Sequence, residues 1–89
     1  MAAFEAAQPG RERGAERLLE LAYEELYVLL VARDNAFSEL ENARAEGRAS
    51  ARLETGARRS EDAAERAWQR YVRALHDYLT TVDAVIGAL

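Results

Sequence analysis

At 89 residues the chain has room for one small domain, and its lack of cysteine excludes a disulfide framework, a thiolate nucleophile and a thiolate metal site. Its net charge of −4 and its lack of any 18-residue apolar run exclude a strongly basic polyanion binder and a membrane span of ordinary length. The first residues, Met1-Ala2-Ala3-Phe4-Glu5, lack the basic start and apolar centre of a secretory signal. These features predict a soluble protein of the cytoplasm with no cofactor.

Pro9-Gly10 is a strong breaker pair, and residues 1–12 offer little apolar area to offset the cost of ordering. They are expected to form a flexible head before a single helical-hairpin domain at residues 13–89.

From Ala15 the pattern is helical. Leu19, Ala22, Leu26, Leu29, Arg33, Ala36, Leu40 and Ala43 alternate at three- and four-residue spacing, which aligns them on one stripe of a helix. Tyr23, Leu30 and Phe37 follow alternate members and widen the stripe. Such a broad face suits a bundle helix better than a two-stranded seam.

Two glycines compete to end this helix, because either can adopt the left-handed conformation that closes a helix C-terminus. A stop at Gly47 leaves a long linker if the second helix begins near Glu61, whereas residues 48–55 are mostly good helix formers. The composition therefore leans towards a first helix reaching Glu54 and a turn through Gly56-Ala57-Arg58-Arg59. A short third helix around Ala51 to Glu54 is the alternative.

Ser60 is a candidate N-cap for the second helix, with Glu61 and Asp62 placing negative charge in its first turn. Trp68, Tyr71, Leu75, Tyr78, Val82, Val85 and Leu89 repeat the three-four spacing, flanked by Val72, Leu79 and Ile86. The expected fold is all-α: an antiparallel two-helix hairpin that dimerises into a four-helix bundle.

The second chain is expected because one hairpin seam cannot use all the apolar surface. Leu26, Tyr27, Val28, Leu30, Val31 and Phe37 of the first helix, with Val72, Leu79 and Ile86 of the second, form the candidate oligomer interface. Each such side chain left wet forgoes roughly 1.5–3 kcal/mol. The partner is expected to be a second copy of the chain, or else another protein.

Arg33 occupies a seam position that the pattern reserves for an apolar side chain, so it is a candidate register setter or a candidate anion contact. Arg44, Arg48 and Arg52 recur every four residues, and Trp68 and Tyr71 begin an aromatic line of the kind that interfaces use. These six residues are the candidate contacts for a partner or an anion. All twelve basic residues are arginine, yet acids are interleaved with them, which argues against nucleic acid. His76 is the only histidine and has no metal-binding neighbours at helical spacing. No serine or threonine has a recognisable base or phosphate loop beside it, so no catalytic residue is assigned.

The resulting expectation is a non-enzymatic helical protein-interaction module acting as a homo-oligomeric bundle. The alternatives are an arginine-stripe nucleic-acid binder, and a small bundle enzyme or binder for an anionic metabolite working through Arg33 and Arg44.

Overall fold

The computed structural model describes the backbone of residues 2–88, and side chains at residue 10 and from residue 12 to residue 88. Most of the expected head at 1–12, and the seam residue Leu89, lie outside the described side chains. Among the described residues there are two helices, α1 (Ala2–Ala45) and α2 (Ala51–Ala88), and no strand. They pack against each other along their length in a rod of 69 × 15 × 14 Å.

The turn falls at Gly47, not at Gly56. Gly47 has φ +72°, the left-handed conformation that a side chain resists. Its amide donates to the Arg44 carbonyl at 3.1 Å, and the Arg48 amide donates to the Ala43 carbonyl at 2.6 Å. These are the two bonds of a Schellman cap, and they satisfy carbonyls that the end of α1 leaves open.

The linker is short because α2 begins ten residues earlier than its acidic first turn suggests. The Ser50 hydroxyl accepts the Leu53 amide at 3.3 Å, so Ser50 and not Ser60 caps the helix. Gly56 and Ser60 then lie inside α2, and residues 51–54 form its first turn rather than a third helix.

Across the seam, α1 behaves as its spacing predicts. Leu26, Leu40 and Ala43 are buried, and Leu19, Ala22, Leu29, Arg33 and Ala36 are half-buried. On α2 the expected members Tyr71, Leu75, Tyr78, Val82 and Val85 are half-buried, but the contact line is centred slightly to one side of that stripe. Its buried members are Ala57, Ala64 and Ala67, continued by half-buried Tyr71, Ala74 and Tyr78. Trp68, Leu75 and Val82 sit one position to the side, and Trp68 is 51% exposed. Alanine wins the seam because small side chains let two helices approach closely, whereas an indole there would hold them apart.

Among the described residues two ion pairs tie the helices together, one on each flank of the seam. Arg44 meets Glu54 at 3.3 Å near the turn. Farther along, Arg70 grips Glu25 through both carboxylate oxygens.

Candidate interaction face

The ion pairs and aromatic contacts show which residues share a side of the hairpin. Arg44 and Glu54 mark one flank. At 100° per residue, the positions in line with Arg44 on α1 are Phe37, Leu30 and Tyr23, with Tyr27 beside them. In line with Glu54 on α2 are Trp68, Leu75 and Val82, with Val72, Leu79 and Ile86 beside them. Leu30 and Trp68 line a common cleft, and the Tyr71 ring lies 6.1 Å from Tyr23 and 5.9 Å from Trp68. Both helices therefore contribute apolar side chains to the same face.

From Trp68 to Ile86 the α2 half of this face carries no charged residue. It spans about 27 Å at helical rise. Tyr23, Tyr27, Trp68, Leu79 and Ile86 are each more than half exposed, and Val72 is 45% exposed. Acids border the patch: Glu16 and Glu20 share a cleft with Tyr23, and Glu61 and Glu65 share one with Trp68.

The expected interface residues separate into three groups. Tyr27, Leu30, Phe37, Val72, Leu79 and Ile86 come together on this face. Leu26 is 5% exposed and belongs to the internal seam. Val28 falls on the opposite flank, the side of the Glu25–Arg70 pair, and Val31 on the back of α1; both are exposed. Tyr23 belongs to the face as well. Its place one residue after Ala22 made it look like a widening of the seam.

Arg33 stands in a cleft with Leu26, Leu30, Ala64 and Trp68, which Glu61 and Glu65 also line. Its guanidinium meets Asp34 at 3.3 Å. Tyr71 is not its neighbour: its ring meets that of Tyr23 at a tilt of 57°, ten residues or ~15 Å along α1 from Arg33. Three carboxylates around one arginine make this cleft unfavourable for an anion.

Nor do Arg44, Arg48 and Arg52 form a ladder. The Gly47 turn interrupts their helix, leaving Arg44 on α1 with Glu54, Arg48 in the loop with Glu46, and Arg52 on α2. Instead Arg52, Arg59, Arg66 and Arg73 recur every seventh residue along α2, on the flank opposite the apolar face. All four are exposed and make no ion pair among the described residues.

Among the described residues no group of three or more His, Asp or Glu side chains is placed to hold a metal ion. No described helix is long and apolar enough to cross a membrane. No family model matches the sequence, and no curated protein or solved structure matches it.

Proposed function

We propose that this chain is a non-enzymatic helical interaction module that works by covering its apolar face with the helices of another chain. The observation that carries this reading is the uncharged stripe of Trp68, Val72, Leu75, Leu79, Val82 and Ile86 on α2, set beside Tyr23, Tyr27 and Leu30 of α1 on one side of the hairpin. Contiguous apolar surface of this extent is uncommon on proteins that act alone, and Trp and Tyr are the side chains interfaces favour. The expected working form is a homo-oligomeric bundle. The absence of cysteine supports a reducing, cytoplasmic setting.

Trp68 is the only tryptophan and stands at the end of the uncharged stripe, so it reports directly on the face. If the face is covered, Trp68 fluorescence resists quenching by acrylamide. If the face awaits a partner, Trp68 is quenched and transfers energy to a hydrophobic dye bound beside it. A tryptophan open to quencher, with no dye bound nearby, would end this reading.

A second reading has one observation in its favour: four exposed arginines at seven-residue spacing on α2 that make no ion pair among the described residues. Their positions span about 31 Å of helix axis, and guanidinium groups suit the phosphates of a nucleic acid. The net charge of −4 opposes it. Retention of duplex DNA or RNA at low salt, lost steeply as salt rises, would favour this reading; no retention at low salt would remove it.

A further inference from the structure

The chain exposes 6798 Å², whereas a compact monomer of 9.9 kDa exposes about 5200 Å². The excess is roughly 1600 Å², within the range each subunit of an obligate dimer hides. An elongated shape and a thin interior go with it. Among the described residues only Leu26 and Leu40 are buried large apolar side chains, and the other buried residues are alanines. A hairpin with so little core is poorly able to stand alone.

The shape of the face selects what covers it. It is two helices wide, with Leu30, Trp68 and Leu75 towards the central groove and Tyr27, Leu79 and Ile86 on the outer shoulders. A single added helix, about 10–12 Å across with its side chains, would fill the groove and leave the shoulders wet. A second hairpin brings two helices and reaches both.

Resting on the reading of this face as a protein-binding surface, we propose that its occupant is a second copy of this chain. Two hairpins meet face to face about a two-fold axis and form a four-helix bundle. Because the same patch serves both subunits, the contact is self-complementary and closes at two. The flank bearing Arg52, Arg59, Arg66 and Arg73 then lies outside, away from the contact.

The test measures solution mass of the full chain by light scattering over a wide concentration range, with the thermal midpoint followed in parallel. A mass twice the 9.9 kDa of the chain is expected, with a midpoint that rises with protein concentration as dimer linkage requires. Val72→Glu with Leu79→Glu should halve the mass. Leu21→Glu with Val28→Glu, on the opposite flank, should leave it unchanged. A unit mass together with a concentration-independent midpoint of the unsubstituted chain overturns the proposal, whether or not the variants fold. If that monomer still binds a hydrophobic dye near Trp68, the face belongs to a foreign chain and only the self-pairing falls. If it binds none, the interaction reading falls with it.

Discussion

Arg70 of α2 forks onto both carboxylate oxygens of Glu25 of α1, forty-five residues away in sequence. With Arg44 and Glu54 on the other flank, this pair sets which turn of one helix lies beside which turn of the other. Both Arg70 and Glu25 are nearly half exposed, so water screens their attraction and the expected contribution is small. A double-mutant cycle through Glu25→Ala and Arg70→Ala should give a coupling of about 0.5–1 kcal/mol that shrinks in molar salt. Denaturation of the four proteins checks it, and a coupling indifferent to salt would mean that the pair acts through packing instead.

The two central glycines should respond to alanine in opposite directions. Gly47 carries φ +72°, so Gly47→Ala should destabilise by about 1 kcal/mol, although open space awaits the added methyl group. Gly56 lies inside α2 with nothing within 4 Å of an added Cβ, so Gly56→Ala should stabilise by about 0.5–1 kcal/mol. Thermal unfolding of both variants decides the matter. Reversed signs would move the turn to Gly56.

Helix capping offers an independent check on where α2 begins. Ser50→Ala removes the acceptor for the Leu53 amide and should cost about 1 kcal/mol. Ser60 caps nothing and is half-buried on the seam side of α2, so Ser60→Ala should be neutral or mildly stabilising. Equal losses at the two serines would contradict a helix start at Ala51.

The alanine seam should tolerate little growth. Ala67 is 0% exposed and Ala64 is 3% exposed, so a larger side chain must push the helices apart. Ala67→Leu is expected to cost about 1–3 kcal/mol, while the same change at exposed Ala84 should cost almost nothing. Chemical denaturation of both variants reads the difference. Equal stabilities would show that the seam is loosely packed.

Periodicity alone was enough to identify α1 and its inward stripe, because three-four spacing on a long helix has one geometric solution. Leu19 through Ala43 face α2 as their spacing requires, Arg33 included. The helical character of the second half was legible for the same reason, and so was an apolar surplus beyond one seam. The turn was not. Gly47 and Gly56 are equal candidates by composition, and the choice rests on the Arg48–Ala43 amide bond and the Ser50 cap, which exist only once both helix ends are formed.

The candidate face was legible in part. Tyr27, Val72, Leu79 and Ile86 were identifiable as apolar residues beyond a seam, but their gathering on one flank, with Val28 on the other, depends on how α2 is rotated. That rotation was hidden because hydrophobicity ranks Trp68 above Ala67, whereas close helix packing ranks by volume. The sequence by itself determined the helices and how much apolar surface they carry. Only the tertiary structure decided where the chain turns and which way α2 faces, because capping bonds and seam volumes are properties of two helices together.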